Sequence, residues 1–202
     1  MIPYNFNTED TLFIIGGDKI GNTAIKEIEK LENIKIIRDK SLGVKKIIKL
    51  IFNKKIKLGF LFKAKFAEIK RKNHNVKRYE IFKNLSELKK LLDKYEPKNV
   101  IIFRGSQIIP KNMLTNNINF FNIHYIDITQ PDLRGLASIE TALNKNSLDQ
   151  FASFYKISEL IDEGEIIAKE KYILDKNKSY LINEDEASNA GIRLIKNLFK
   201  IV

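Results

Sequence analysis

The chain has 202 residues, 44% apolar and 30% charged, proportions of a globular domain that exclude a disordered or fibrous chain. It has no cysteine, which excludes a disulfide framework, a thiolate metal site and a cysteine nucleophile; its two histidines, His74 and His124, leave a histidine metal centre short of ligands, so no metal is expected. The 36 basic against 25 acidic residues are unevenly spread: eleven bases and one acid, Glu68, fall between 44 and 72, a local net of +10, and the rest is nearly neutral.

The start, Met1 to Asn5 followed by Glu9 and Asp10, lacks the basic and apolar regions of a signal peptide, and no run reaches the roughly 18 to 20 apolar residues of a membrane span. A soluble cytoplasmic protein is expected. Thr11–Gly16 is a short apolar run closed by two glycines, a buried first strand. Ile20, Ala24, Ile25, Ile28 and Leu31 then repeat at helical spacing, and Ile34–Ile37 is a second strand. Strand, helix, strand opens a parallel α/β sheet.

Across the basic stretch, apolar residues from Ile47 to Phe66 alternate with lysines, predicting one or two helices that pack Ile and Phe inward behind a solvated lysine face. Tyr79–Phe82 is a brief extended segment, and Ser86 with Glu87 opens a helix that Pro97 stops. Asn99–Phe103 is the clearest buried strand. A short helix at Lys111–Leu114 leads to a strand from Ile118 that ends at His124. A helix over Leu136–Asn144, strands over Phe151–Ile157 and Ile166–Leu174, and a terminal helix over Glu184–Phe199 complete the chain. With no internal repeat and no Pro/Gly/Ser linker, one domain is expected over residues 1–202.

In an open parallel sheet, ligands bind beyond the carboxyl ends of the strands. The Gly16-Gly17 turn entering the first helix suits an anion, because free backbone N–H groups point outward there; it suits a plain tight turn equally well. At Asn122-Ile-His124 the carboxamide and imidazole project to one face of a strand, where they can stabilise an oxyanion and move a proton. Taken alone, such a histidine is as readily a structural hydrogen-bonding group, and Asp162 a turn residue before Gly164. His74, among Lys, Asn and Arg, reads as a solvated surface group.

Asn122-x-His124, then Arg134-Gly135, then Asp162-x-Gly164, in that order and spacing, resembles the folate-dependent formyltransferase family. Its members include glycinamide ribonucleotide transformylase, methionyl-tRNA formyltransferase and the sugar-nucleotide N-formyltransferases. Gly105–Pro110 is similar to the family's Gly-x-x-Ile-Leu-Pro segment, and the resemblance is strongest over about residues 95 to 175. It implies a Rossmann-like α/β fold, a mostly parallel sheet flanked by helices. It also implies transfer of a formyl group from N10-formyltetrahydrofolate to a primary amine. As the amine attacks, charge grows on the formyl oxygen; the likeness gives Asn122 and His124 the task of stabilising it, and Asp162 that of orienting His124 and moving the proton. The folate would contact Gln107, Ile108, Ile109, Ser158, Glu159, Leu160 and Ile161, and the acceptor Gly16, Lys19, Tyr125 and Arg134.

The chain departs from the family in several places. Nine residues, Tyr125 to Leu133, separate His124 from Arg134 where seven are usual, and only Pro131 matches a family proline. Tyr155 takes the place of a second family histidine, and Gln107 that of a common basic residue. Where glycinamide ribonucleotide transformylase has Gly-x-Gly-Ser-Asn, this chain has Gly16-Gly-Asp-Lys-Ile-Gly-Asn22, and Asp18 would repel a phosphate. A methionyl-tRNA formyltransferase would call for a further carboxyl-terminal domain of roughly one hundred residues, so with the last helix near residue 199 that acceptor is not the expected one. The expected acceptor is therefore a nucleotide-linked amino sugar, for polysaccharide biosynthesis, with glycinamide ribonucleotide as the alternative. Lys54, Lys55 and Lys57 would attract the sugar's diphosphate; the rival use of the stretch is an anionic membrane contact over 44–66. No nucleic-acid partner is expected, and a homodimer is compatible with the sequence. A non-enzyme alternative is an inactive formyltransferase-like module binding nucleic acid or membrane through 44–72.

Overall fold

A computed structural model describes residues 6–43, 47–48, 51–53, 57–114, 117–135 and 137–200. Expectations that fall on Lys54, Lys55 and Leu136 lie outside these residues. Among them, seven strands form one sheet in the order β3-β2-β1-β4-β5-β6-β7. β1 (Thr11–Gly16), β2 (Lys35–Asp39), β3 (Glu80–Phe82), β4 (Asn99–Phe103) and β5 (Asn119–His124) run parallel. β6 (Asp149–Lys156) and β7 (Ile166–Ile173) close the edge as an antiparallel pair. This is the parallel α/β sheet that the strand–helix alternation predicts, in the Rossmann-like, mostly parallel form that the family resemblance implies.

Alternation along the central strands divides the core. Leu12, Ile14, Val100, Ile102 and Phe120 face one side, where α3 (Leu85–Tyr95) brings Leu88 and Leu92. Phe13, Ile15, Ile101, Phe103, Phe121 and Ile123 face the other, covered by α1 (Lys19–Ile28) and α5 (Tyr180–Phe199). α4 (Ser138–Asn144) adds Ile139 and Ala142 to that second cluster.

Two helix starts differ from expectation. Asn84, not Ser86, caps α3: its Oδ1 accepts the Glu87 N–H at 2.9 Å while the Glu87 carboxylate returns to Asn84 Nδ2 and Lys83 N, a reciprocal capping box. α5 begins four residues earlier than its apolar pattern predicts, because the Ser179 hydroxyl caps it at Ile182 N. Helix α2 (Leu58–Lys70) realises the predicted helix of the basic stretch, but it buries only Phe60 and Ala67. Leu58, Phe62, Phe66 and Ile69 point outward, which corrects the expectation that its apolar residues pack inward.

What holds α2 to the body is a chain of charges. Arg71, just past its end, pairs with Glu68, Glu184 (2.9 Å) and Asp185 (2.7 Å). Glu184 in turn meets Arg104 at 3.1 Å, and Arg104 reaches Asp18 at 2.5 Å. Burial opposes the Arg104 charge, but Tyr125, Asp18 and Glu184 outweigh it and keep the guanidinium ionised. Glu184 is buried between two guanidinium groups, so removing it takes the shared buried partner from both and leaves Arg71 to Glu68 and Asp185 and Arg104 to Asp18. Glu184→Ala should lower unfolding free energy by about 3 kcal/mol in a urea titration.

Candidate active site

β5 changes character along its length. Phe120 lies in the core on the α3 side, and the next two positions of the same parity are Asn122 and His124, at the strand's carboxyl end. The antiparallel register sets Asn122 opposite Tyr155 and His124 opposite Ser153. Asn122 Nδ2 donates to the Tyr155 hydroxyl at 2.8 Å, and that hydroxyl donates to Asp162 Oδ1 at 2.6 Å. The other oxygen, Asp162 Oδ2, stands 3.6 Å from His124 Nε2. Asn122, His124 and Asp162, far apart in sequence, thus share one cluster, and Tyr155 bridges two of them. Tyr155 is the member that sequence reasoning passed over; its only signal was its place at the position of a second histidine.

Backbone constraints aim the carboxylate. Asp162 has a φ of 56°, in the left-handed region that non-glycine residues seldom occupy. Two residues on, a Cβ on Gly164 would lie 1.6 Å from the Lys156 carbonyl oxygen, so only glycine lets the turn close on β6. The intervening Glu163 pairs with Arg134 at 2.7 Å.

His124 is held in one tautomer. Its Nδ1 accepts the Ile126 N–H at 3.3 Å, so the neutral ring carries its proton on Nε2, toward Asp162. Burial pushes the imidazole below its ordinary value; the Asp162 carboxylate pulls it up and the Arg134 guanidinium pushes it down again. Burial therefore favours the neutral ring.

The proposed folate contacts fall on two neighbouring segments. Ile108, Leu160 and Ile161 expose large apolar side chains, and a 2.7 Å ion pair between Lys111 and Glu159 ties the segments together. Gln107 turns its amide to the Ile108 carbonyl, and Ser158 its hydroxyl to the Leu160 carbonyl. Ile109 is buried in the α3-side core, which corrects its assignment as a side-chain contact for the folate.

The residues assigned to the acceptor are largely committed elsewhere. At the β1–α1 turn, Asp18 Oδ1 accepts the Gly21 N–H and Glu68 Oε1 accepts the Lys19 N–H, so the helix N-terminus already holds two carboxylates. Lys19 Nζ donates to the Ile69 and Arg71 carbonyls, and a Cβ on Gly16 would meet the Arg104 carbonyl oxygen at 2.6 Å. Tyr125 directs its hydroxyl to Arg104, and its carbonyl accepts from Tyr172. Arg134 donates twice to the Ile128 carbonyl and so braces the 125–133 loop. That loop is anchored by buried Ile126, Ile128 and Leu133, and by Asp127 paired with Lys169 at 2.7 Å. Two clefts, of about 520 and 330 Å³, lie along α5, one against β7 and one against α1 and residues 70–74; neither includes a member of the cluster. Among the described residues no group of acids and histidines is arranged to hold a metal.

A nitrogen-detected titration tests the electrostatics, since only two histidines need assigning. His124 should titrate below the ordinary imidazole value, lower still in Asp162→Asn, and higher in Arg134→Gln.

No family model matches the chain. It is 26% identical to a methionyl-tRNA formyltransferase of Caldicellulosiruptor saccharolyticus over 96% of its own length and only 60% of that relative's. A methionyl-tRNA formyltransferase of a Hydrogenobaculum species is 29% identical over 56% of this chain and 37% of its own length. Among solved structures, a 4-N formyltransferase from Francisella tularensis shares the fold with a TM-score of 0.63 at 15% identity, over 95% of this chain and 68% of that one. A phosphoribosylglycinamide formyltransferase from Streptococcus pneumoniae does so with a TM-score of 0.62 at 14% identity, over 95% and 97%. The ordered motifs and the two sequence relatives make the chain similar to the folate-dependent formyltransferases, and solved formyltransferases share its fold.

Proposed function

We propose that the chain is an N-formyltransferase that moves a formyl group from N10-formyltetrahydrofolate to a primary amine. The observation that carries this reading is the closed cluster of Asn122, Tyr155, Asp162 and His124, in which a neutral imidazole and a carboxamide sit beside a carboxylate. The folate supplies an electrophilic formyl carbon when bound. Exposed Ile108, Leu160 and Ile161, the last two directly before Asp162 in the sequence, suit the flat apolar face of a pterin, with Gln107, Ser158 and Glu159 on the same segments.

In this reading, Nε2–H of His124 and an N–H of Asn122 stabilise the oxygen that gains negative charge as the amine attacks. Both donors are pre-aimed, one by the Ile126 N–H on Nδ1 and one by the Tyr155 hydroxyl. Asp162 Oδ2 lies within reach of His124 Nε2, so a proton lost by the attacking amine passes to this pair. Tyr155 is a positioning residue: its hydroxyl engages Oδ1 and leaves Oδ2 to His124.

For the acceptor we favour the amine of a nucleotide-linked amino sugar. A substrate phosphate at the β1–α1 turn would meet Asp18 and Glu68, which argues against glycinamide ribonucleotide. Lys57 and its neighbours in the sequence would attract the diphosphate instead. The second reading, the amine of an aminoacyl-tRNA, is supported by the names of the two sequence relatives and by the basic stretch.

Formyl transfer to a panel containing amino-sugar nucleotides, glycinamide ribonucleotide and methionyl-tRNA tests both the activity and its acceptor. His124→Ala and Asn122→Ala should each lower kcat roughly 10²- to 10⁴-fold, and transfer unaffected by either change would refute the roles assigned. Tyr155→Phe should cost about tenfold in kcat with little change in folate KM, the loss of one positioning hydrogen bond.

A further inference from the structure

The outward face of α2 has no role in the site. Leu58, Phe62, Phe66 and Ile69 are 59%, 71%, 57% and 64% exposed, and their spacing of four, four and three residues aligns them in one stripe. Four large apolar side chains in a continuous line are unusual on a soluble surface. Upstream, Phe52 is 81% exposed. Lysines border the stripe: Lys65 on one side and Lys70 on the other, with Lys70 Nζ 4.5 Å from the centre of the Phe66 ring, while Lys63 is held by Glu140 at 2.6 Å. The stripe runs toward the carboxyl end of β1, where the Ile69 and Arg71 carbonyls receive Lys19 Nζ, at the end of the sheet that also carries the Asn122–His124 cluster.

From this face we infer that α2 docks on an anionic lipid surface, its apolar stripe entering the boundary between headgroups and acyl chains and its lysines meeting the phosphates. The chemistry selects this occupant over two others. A second copy laid face to face would bring Lys65 and Lys70 against themselves. A nucleic acid could stack bases on Phe62 and Phe66 but would leave Leu58 and Ile69 without a partner. A bilayer takes up all four apolar groups, and long lysine stems let their ammonium groups reach the headgroups. The local net of +10 over 44–72 adds attraction to an anionic leaflet. The inference stands apart from formyl transfer and is read by binding alone.

The chain contains no tryptophan, so Phe62→Trp and Phe66→Trp each create a sole tryptophan, excited selectively over the seven tyrosines, at an outward position. With vesicles of equal phosphatidylglycerol and phosphatidylcholine, both variants should show a blue-shifted emission that brominated lipid quenches. Binding should be at least tenfold weaker to phosphatidylcholine alone, and should weaken with salt and in Lys65→Glu/Lys70→Glu. Circular dichroism confirms that each variant is folded. No shift with either vesicle in either folded variant overturns the inference. So does a shift produced by raising protein concentration without lipid, or one produced by tRNA but not by vesicles.

Discussion

A single carboxylate divided between two partners governs the geometry of the site. Asp162 gives Oδ1 to the Tyr155 hydroxyl and turns Oδ2 toward His124 Nε2, and Tyr155 in turn holds Asn122. Each link restrains the others: the imidazole keeps its proton on Nε2 because Nδ1 is engaged, and the carboxamide keeps its direction because the phenol accepts from it. The carboxylate itself is held by a left-handed backbone and by a glycine that no other residue could replace without displacing β6.

The positive end of α1, a ready-made anion site in this architecture, is closed by the protein's own acids. Asp18 and Glu68 take the free N–H groups, while Arg104 and Lys19 are drawn into internal pairs and carbonyl contacts. The same charges, continued through Glu184 to Arg71, fasten α2 over this end of the sheet. One network thus determines both where a phosphate is unwelcome and which side of α2 is displayed. Displayed in that way, α2 offers to solvent the side chains that its composition would lead one to bury.

Local patterning reveals most of the sheet. β1 and β4 begin and end where their apolar runs do, and the period of two along β5 places Asn122 and His124 on a common face without knowledge of any neighbour. Helix starts were less legible: Ser86 and Asn84 are both competent caps, and only the return of the Glu87 carboxylate to Asn84 chooses between them. In α2, apolar residues occupy both sides of the helix, so periodicity alone did not say which side the body would cover.

By itself the amino-acid order determined the alternation of strand and helix, the ordered Asn-x-His, Arg-Gly and Asp-x-Gly motifs, and the concentration of positive charge in one stretch. Those features depend on neighbours within a few residues, or on identity alone. Tertiary structure decided the partnership of Tyr155 with Asn122 and Asp162, since cross-strand contacts follow the β5–β6 register. It also decided the closing of the α1 terminus by Glu68 and the outward turn of the α2 stripe. Each arises between groups distant along the chain, and their meeting depends on how the whole sheet and its helices pack.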